Sequence, residues 1–540
     1  MSHGKHSRKQ RMTRGVTILT GFTLLLASAC SNNSSDQPKS SPGASNQPAS
    51  ETSAPKPSAP KMKLSIFINS TPSSNLPTDP KNDFVRTKIE EKFNVELNTT
   101  YMPGGQDYNN KINALIAANN APDMWRDFNG DGGNSYVLNG VLADMTPFVS
   151  KTTMPNYYNH WVTEQGMKLY QIQNEFYRAP IPYQKNLYYA YYIRKDWLDK
   201  LGLNVPKSYD EYLNVLRAFR NNDPDGNGKK DTYGFTLAAG GDGVTLSWPE
   251  YQKNGLIYPS FQDGDRFVDM QMDLRFEQVA NDVVKLIKED LIDPDWFLSK
   301  APSHIDRAAQ GKVGVVQGSG KTFAFDSQPD SLQSKTKLLN PNANWVAFNP
   351  FGDKPLAVTN WPGNPFLFPK NTAEKSPEKI KKIVEILDWL AGEEGFLLTH
   401  YGVEGKHYTR QGNKISLKPE AYKSDITEKG DFLQIWGFFT PDTPDVYGLE
   451  VINPNETEHD RQVLKTVLDI PVLFNVGANV VPPKGFDLGT FRKKARELQT
   501  KLILDDKSGA KWPQYREILL TEYKGNELFA EYAKQTGLKY

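Results

Sequence analysis

Residues 223–231 place oxygen-bearing side chains at intervals that suit a divalent metal ion. The segment reads Asp-Pro-Asp-Gly-Asn-Gly-Lys-Lys-Asp and follows a stretch with helical spacing. If Asp223 is position 1, side-chain oxygens fall at positions 1, 3, 5 and 9, and the main-chain carbonyl of Lys229 can serve at position 7. The four side chains are those of Asp223, Asp225, Asn227 and Asp231. This spacing is typical of an EF-hand calcium loop and predicts a structural Ca²⁺.

The loop departs from the EF-hand pattern at position 12. Gly234 stands where that pattern has a bidentate glutamate. Water, both oxygens of Asp231 or a remote carboxylate would then have to complete the shell. The alternative is a turn rich in Asp and Asn that holds no ion.

Aromatic residues provide the second chemical signal, with 10 Trp, 25 Tyr and 27 Phe in the chain. Sugars offer C–H faces that stack on aromatic rings, while polar side chains bind their hydroxyl groups. The loop after a predicted strand at 122–125 adds short polar side chains to this set. The candidate ligand-binding residues are Trp125, Asp127, Asn129, Asp131, Tyr189, Trp248, Trp361 and Trp436. For each of the aromatic candidates the alternative is packing in a core.

Several catalytic patterns are absent from the sequence. Gly318 to Thr322 (GSGKT) resembles the end of a phosphate-binding loop, but Val315 stands where that pattern requires glycine, so we interpret the segment as a turn after a strand. The seven histidines form no HExxH motif, and no GxSxG motif occurs. A pair of catalytic carboxylates can be neither excluded nor located from the sequence.

The elements that would carry these residues alternate between strand and helix. Residues 64–68, 95–97 and 122–125 have strand character, and residues 83–93 and 108–119 between them have helical spacing. This order predicts parallel strands with crossover helices, in which ligands bind beyond the carboxyl ends of the strands. Farther along, we predict strands at 188–193 and 312–317 and a helix that begins after Ser208, with Glu211 completing a capping box.

The start of the chain has the pattern of an export signal. Five basic residues and no acidic residue lie within residues 1–29, and the apolar run 22–27 precedes Ser28, Ala29 and Cys30. The ending LLLASAC resembles the lipobox of bacterial lipoproteins, and this resemblance implies lipidation of Cys30 after cleavage; the alternative is an ordinary secretory signal. Residues 30–60 are almost entirely Ser, Pro, Ala, Asn and Gln, which predicts a disordered tether.

Composition bounds the remaining possibilities. The chain has 540 residues, one cysteine and a net charge of +1, and removal of residues 1–29 changes the charge to +1 − 5 = −4. A mildly acidic chain is a poor ligand for nucleic acid, so we expect no nucleic-acid partner. A single cysteine excludes an intramolecular disulfide.

Three segments together resemble the family 1 extracellular solute-binding proteins of ABC importers, in particular the large lipoprotein subgroup of the oligosaccharide-binding type. These segments are Ile193 to Gly202 (IRKDWLDKLG), Asp223 to Gly234 (DPDGNGKKDTYG) and Tyr401 to Thr409 (YGVEGKHYT). The resemblance implies an α/β fold of two lobes, type II-like, with a hinge, a central ligand cleft and an extended helical C-terminal part. It also implies a structural calcium ion, partnership with the transmembrane subunits of a permease, and no catalytic residues.

The residue patterns above predict a signal peptide at 1–29 and a tether at 30–60. From the resemblance we expect a first lobe at 61–190 with a return segment at about 325–390, and a second lobe at 191–324 with about 391–540. We expect a monomeric binding protein, anchored outside the cell membrane by its lipid, that captures a carbohydrate, most simply an oligosaccharide. The alternatives are a surface-anchored polysaccharide-degrading enzyme and an adhesive surface lipoprotein.

Overall fold

The computed structural model describes residues 60–128, 133–168, 171–172, 175–181, 188–241, 243–244, 247–359, 365–475 and 480–540. Cys30 and the predicted signal and tether up to residue 59 lie outside these residues, as do Asn129, Asp131 and Trp361. No helix among the described residues combines the length and the apolar character needed to cross a bilayer.

Strands and helices alternate along much of the described chain. The strands are β1 (Met62–Ser70), β2 (Val95–Pro103), β3 (Met124–Arg126), β4 (Tyr189–Arg194), β5 (Tyr233–Thr236), β6 (Ser260–Asp263), β7 (Arg266–Asp269), β8 (Val313–Ser319), β9 (Trp345–Phe348), β10 (Leu356–Thr359), β11 (Phe366–Leu367), β12 (Tyr408–Gln411), β13 (Lys414–Leu417), β14 (Glu450–Ile452) and β15 (Val472–Asn475). The α-helices are α1 (Phe84–Phe93), α2 (Gln106–Ala117), α3 (Asn134–Leu138), α4 (Pro155–His160), α5 (Glu164–Lys168), α6 (Lys195–Leu201), α7 (Tyr209–Asn221), α8 (Pro249–Lys253), α9 (Phe276–Lys288), α10 (Ser303–Ala309), α11 (Leu332–Lys337), α12 (Lys370–Lys375), α13 (Pro377–Leu390), α14 (Glu393–His400), α15 (Pro419–Asp425), α16 (Leu433–Trp436), α17 (Glu458–Asp469), α18 (Leu488–Lys501), α19 (Trp512–Thr521) and α20 (Gly525–Thr536).

The first sheet has the strand order β11-β3-β1-β2, and β1 is parallel to both β2 and β3. The β1–α1–β2–α2–β3 order predicted from the sequence is therefore confirmed. Leu64, Ile66 and Ile68 of β1 face one core, whereas Phe67 faces a smaller cluster on the opposite side of the sheet. The central strand β1 is therefore buried on both faces, as strands of sheets with crossover helices are.

The second sheet has the order β5-β8-β4-β9, in which β4 is antiparallel to β8 and to β9. Ser208 caps α7 by accepting from the Glu211 main-chain N–H at 3.2 Å. The Glu211 carboxylate accepts from the N–H of Lys207 at 2.8 Å rather than from that of Ser208, so the reciprocal half of the predicted capping box is not formed.

Two large cores divide most of the described chain. The first core combines residues from 64–181 and 366–449, and the second core combines residues from 190–356 and 463–532. This packing differs from the expected return segments. Residues 332–348 pack in the second core because β9 pairs with β4, and residues 396–449 pack in the first core against α1 and α13. The chain crosses between the cores three times, at 181–190, 356–366 and 449–463.

Candidate functional site

A pocket lies beside the first two crossings, where the chain enters and leaves the second core. Its volume is about 230 Å³. The lining residues come from the start of β4, from the start of α8 and the turn after it, and from β10; they are Tyr189, Tyr191, Ser247, Trp248, Pro249, Gln252, Leu256, Ile257, Leu356, Ala357 and Val358. We call this cavity the crossing pocket. It brings together two predicted ligand-binding residues, Tyr189 and Trp248.

Hydrogen bonds fix the walls of the crossing pocket. The Gln252 side chain donates to the carbonyl of Pro355 at 2.8 Å and accepts from the N–H of Ala357 at 2.9 Å, which ties α8 to β10. The Tyr191 hydroxyl donates to the carbonyl of Ser247 at 3.1 Å. Tyr189 and Tyr191 lie on the same side of β4 because side chains alternate along a strand. Their rings meet edge to face, with centroids 6.5 Å apart.

The pocket presents a half-buried phenol and encloses an indole. Burial raises the pKa of Tyr189 to about 12, so its hydroxyl group stays protonated and can donate a hydrogen bond at neutral pH. Trp248 is fully buried, and its ring packs edge to face against Phe235 and Trp296. Its Nε1 is buried and has no hydrogen-bond partner among the described residues. The Trp248 ring therefore gives the pocket an apolar wall, and the Tyr189 hydroxyl gives it a polar group, a combination that suits a ligand with apolar and polar faces.

A buried carboxyl lies directly behind the crossing pocket. Glu250 is fully buried, and the Tyr209 hydroxyl donates to its Oε1 at 2.6 Å. Burial raises the pKa of Glu250 to about 7, against the weaker effect of the Tyr209 hydrogen bond. The carboxyl is therefore poised between its neutral and charged forms near pH 7.

The other predicted ligand residues fall in different surroundings. Trp125 belongs to β3 of the first sheet. Its side chain is fully buried, and its ring packs edge to face against that of Tyr136. Trp436 is 1% exposed in the first core and donates from Nε1 to Asp83 at 2.9 Å. Both therefore occupy the core environment that was the alternative for these residues. Asp127 is buried at the end of β3, and its N–H donates to the carbonyl of Pro365 at 2.8 Å.

The predicted calcium loop, 223–231, forms an exposed turn at the end of α7, which we call the acidic loop. The Asp223 carboxylate accepts from the N–H groups of Gly226, Asn227 and Gly228 at 3.0–3.1 Å. Gly226 and Gly228 both have a φ of +75°, a conformation that glycine adopts without strain. The acidic loop therefore turns at these two glycines.

The loop is anchored to the helix that precedes it. Arg220 of α7 donates from Nη1 to the carbonyls of Lys230 and Thr232, at 2.8 and 3.3 Å. The Thr232 hydroxyl in turn donates to the carbonyl of Phe219 at 2.7 Å. The C-terminal end of the acidic loop is therefore held against α7.

Charge is concentrated within the acidic loop. Burial, followed by the adjacent Asp223 side chain, raises the pKa of Asp225. Asp231 is drawn to a cation instead, since its Oδ2 lies 2.7 Å from Nζ of Lys312, and this contact is the largest cause that lowers its pKa.

The structure explains the missing position-12 glutamate. Gly234 lies in β5, which pairs with β8 and packs against α7, and a Cβ at Gly234 would lie 2.7 Å from Cβ and 2.9 Å from Cα of Leu216. No side chain fits there, so a twelfth-position ligand from this strand is sterically excluded.

A second group of acidic residues and a histidine lies in the second core. Asp326, His459 and Asp460 bring one ligand atom each within 4.8 Å of the others. Asp460 already accepts from the N–H groups of Asp326, Ser327 and Thr457. Lys337 pairs with Asp326 at 2.6 Å. Asp460 therefore belongs to the N-terminal cap of α17, and these contacts explain why the three side chains lie together.

Sequence reasoning missed Tyr191, Gln252 and β10 as parts of the pocket. Tyr191 could have been found, because it lies two residues after Tyr189 in a predicted strand and must therefore share its face. No sequence signal connects Gln252 with Ala357, 105 residues later in the chain.

A family comparison identifies the chain. The family model described as "Bacterial extracellular solute-binding protein" matches residues 85–377, more than half of the sequence. The chain belongs to this family of solute-binding proteins. The recognition made from the three sequence segments is thereby confirmed at the level of solute-binding proteins.

Relatives of this solute-binding protein include two with named sugar ligands. It is 27% identical over 368 residues to the polygalacturonan/rhamnogalacturonan-binding protein YtcQ of Bacillus subtilis, with coverage of 64% of this chain and 68% of that protein. It is 24% identical over 377 residues to the fructooligosaccharide ABC transporter substrate-binding protein FusA of Streptococcus pneumoniae, with coverage of 65% and 64%.

Solved structures support the fold of this solute-binding protein. An HMO-binding, ABC-transporter-associated solute-binding protein from Bifidobacterium longum infantis superposes with a TM-score of 0.63 at 17% identity, and the match covers 89% of this chain and 100% of that one. FusA in complex with kestose superposes with a TM-score of 0.60 at 18% identity, covering 88% and 98%. The predicted two-lobe α/β solute-binding fold is thus confirmed.

Proposed function

We propose that this solute-binding protein captures a carbohydrate, an oligosaccharide, at the crossing pocket and delivers it unchanged to the permease of an ABC importer. The observation that carries the proposal is the crossing pocket itself. It combines a half-buried tyrosine, an enclosed tryptophan and pinned polar groups at the place where the chain passes between the cores. The relatives named for galacturonan and fructooligosaccharide support a sugar ligand.

Calorimetric titration with a panel of oligosaccharides tests this proposal. The panel should include kestose, raffinose and galacturonan fragments, and each sugar should be recovered and sized after binding. Tyr189→Ala should weaken the best ligand by about 10- to 100-fold, since removing an aromatic platform or a hot-spot side chain costs about 1.4–2.8 kcal/mol. Tyr189→Phe keeps the ring and loses only the hydroxyl, so it should have the smaller effect.

Two results would contradict the proposal. If no sugar of the panel binds, while an unrelated solute stabilises the protein, the carbohydrate assignment is wrong. If a bound sugar is shortened with turnover, the protein is an enzyme instead of a receptor.

We also propose that the acidic loop holds a structural Ca²⁺. Asp223, Asp225, Asn227, the carbonyl of Lys229 and Asp231 would hold the ion, and the contact between the Asp223 and Asp225 side chains is one that a divalent cation relieves. The ion would supply positive charge that joins the loop to the end of α7. The solved structure of an EF-hand mutant of FusA supports a metal loop in relatives. Chelation with EDTA should lower the melting temperature, and Asp225→Ala should remove that effect; equal melting with and without EDTA would contradict the site.

The same proposal includes a lipid anchor at Cys30 on the outer face of the cell membrane. Cys30 is the sole cysteine of the chain and lies at the end of the lipobox-like segment. A diacylated cysteine holds a protein stably at a membrane surface. Cys30→Ser should release the protein into the medium, and a variant that stays in the membrane fraction would show that the anchor lies elsewhere.

A further inference from the structure

The glycine-rich turn GSGKT (residues 318–322), which does not match the phosphate-loop pattern, lies where the two cores meet. Gly320 has a φ of +124°, and its N–H donates at 2.8 Å to the carbonyl of Tyr188, just before β4. A side chain at Gly318 would collide with the ring of Phe323, at 2.5 Å. The turn is therefore bent tightly at the end of β8, and it directs Lys321 away from the second core.

Lys321 meets an aspartate that belongs to the first core. Its Nζ lies 3.6 Å from Oδ2 of Asp442, in the loop that follows Phe439. The Tyr401 hydroxyl of the first core donates to Oδ1 of the same aspartate. Of the ion pairs formed between described residues, this one connects the two cores, whereas the others stay within one of them.

The surroundings of the pair favour its charged form. Burial alone would raise the pKa of Asp442, but Lys321 and His400 together hold it below its ordinary value. Burial alone would lower the pKa of Lys321, but Asp442, Tyr188 and Glu456 together raise it. The two side chains nevertheless keep 24% and 44% of their surface, so water reaches the pair.

We infer that Lys321 and Asp442 form an electrostatic latch between the lobes, which stabilises the arrangement of lobes seen here and thereby tunes the affinity for the solute. Lobe movement about a hinge changes the distance between such groups, so an ion pair across the lobes stabilises one arrangement over the other. Partly exposed ion pairs change an equilibrium by about 1.5- to 5-fold. The inference depends on the two-lobe fold and not on the ligand being a carbohydrate.

Fluorescence energy transfer within the full chain tests the latch without any ligand. Cys30→Ser removes the natural thiol, and Glu91→Cys in α1 and Lys285→Cys in α9 place one dye on each lobe at exposed positions. Lys321→Met and Asp442→Asn should each lower the population of molecules with the α1–α9 separation of this structure, relative to other separations, by about 1.5- to 5-fold. The double variant should shift this population no further than either single variant, because both changes remove the same interaction.

A matched control exists within the second lobe. Lys335 of α11 and Asp306 of α10 are also 3.6 Å apart and are similarly exposed, at 36% and 48%. Lys335→Met should leave the lobe separation unchanged, and all variants should keep the parent's thermal midpoint within the error of the scan. An unchanged lobe separation in Lys321→Met, or strictly additive effects in the double variant, would overturn the latch. A parent protein that does not populate the lobe arrangement of this structure would overturn it too.

Discussion

The acidic loop and the crossing pocket are two candidate binding sites built in opposite ways. The acidic loop is nine consecutive residues, exposed to solvent and organised by hydrogen bonds from its own main chain to Asp223. The crossing pocket draws its walls from three segments, near residues 189, 248 and 357, and its rings belong to the second core. In the acidic loop, the side chains that would bind a ligand are not those that stabilise the fold. In the crossing pocket, the same side chains would do both.

The largest expected difference between the two regions is the cost of removing a side chain. Trp248→Ala should lower the free energy of unfolding by about 3–5 kcal/mol, because it leaves a cavity against Phe235 and Trp296. Asp225→Ala, measured without calcium, should change it by no more than about 0.5 kcal/mol, since surface substitutions rarely do more. Urea unfolding of both variants provides the comparison.

Trp248→Phe serves as the control for the pocket, since it keeps an aromatic ring in the same space. It should cost less than the alanine variant. If Trp248→Ala cost no more than Asp225→Ala, the tryptophan would not be part of the core, and the contrast between the two regions would be lost.

Acid–base behaviour should separate the regions next. Burial raises the pKa of Glu250 from 4.5 to about 7, whereas the contact with Lys312 lowers that of Asp231. A carboxyl with a raised pKa in the folded state binds its proton more tightly there than in the unfolded chain. Its contribution to stability is complete below pH 4.5 and is lost as the pH rises to about 7. The loss amounts to about 3 kcal/mol for a shift of this size.

Unfolding of the parent and of Glu250→Gln should be compared at pH 4.5 and pH 8. The amide resembles the protonated carboxyl, so the parent should lose about 3 kcal/mol relative to the variant between these two pH values. Subtraction of the variant removes the contribution of every other titrating group. A constant difference across this range would mean that Glu250 ionises normally and is accessible to water.

This contrast also explains how much could be predicted. The β1–α1–β2–α2–β3 unit was predictable because strand and helix periodicities are local and short connections leave one pairing scheme. The acidic loop was predictable because the spacing of its possible ligand residues lies within nine consecutive positions, from Asp223 to Asp231. Gly234 could be recognised as a departure, but its cause, contact with Leu216 of α7, is tertiary.

The remaining differences between the structure and the expectations have a common physical origin. Trp125 and Trp436 stand beside polar residues in the sequence, yet strand pairing and helix packing bury both rings. Residues 332–348 and 396–449 pack in the opposite core from the expected one because β9 pairs with β4 and Phe432 packs against Phe84 of α1, contacts between distant segments that no local pattern encodes. Lys321 and Asp442, 121 positions apart, meet only through the fold.

A smaller effect is expected where the loop contacts the core. Gly234→Glu would restore the usual ligand at position 12, but its Cβ would press on the backbone of Leu216. We expect a loss of about 1–3 kcal/mol from overpacking, with no gain in calcium affinity. Unfolding with and without calcium measures both quantities. Lys230→Glu is the control, since it adds the same side chain to an exposed position in the loop. A stable Gly234→Glu protein with tighter calcium binding would show that β5 can move away from α7.

The smallest effect that we expect concerns Lys312, which already forms an ion pair with one carboxylate of the acidic loop. Lys312 lies 2.7 Å from Asp231 and would both compete for a calcium ligand and repel the ion. Lys312→Met should therefore tighten calcium binding by about 1.5- to fivefold, because a partly exposed ion pair contributes about 0.2–1 kcal/mol. Lys200→Met is the matched control, because Lys200 donates to the main-chain carbonyl of Asp223 and not to a carboxylate of the loop. Calcium titration at low and high salt separates the two contributions: repulsion between charges weakens as salt rises, whereas loss of competition for Asp231 persists.

Weaker calcium binding in Lys312→Met would mean that the lysine holds Asp231 in place for the metal, and the acidic loop would then depend on the second core as the crossing pocket does.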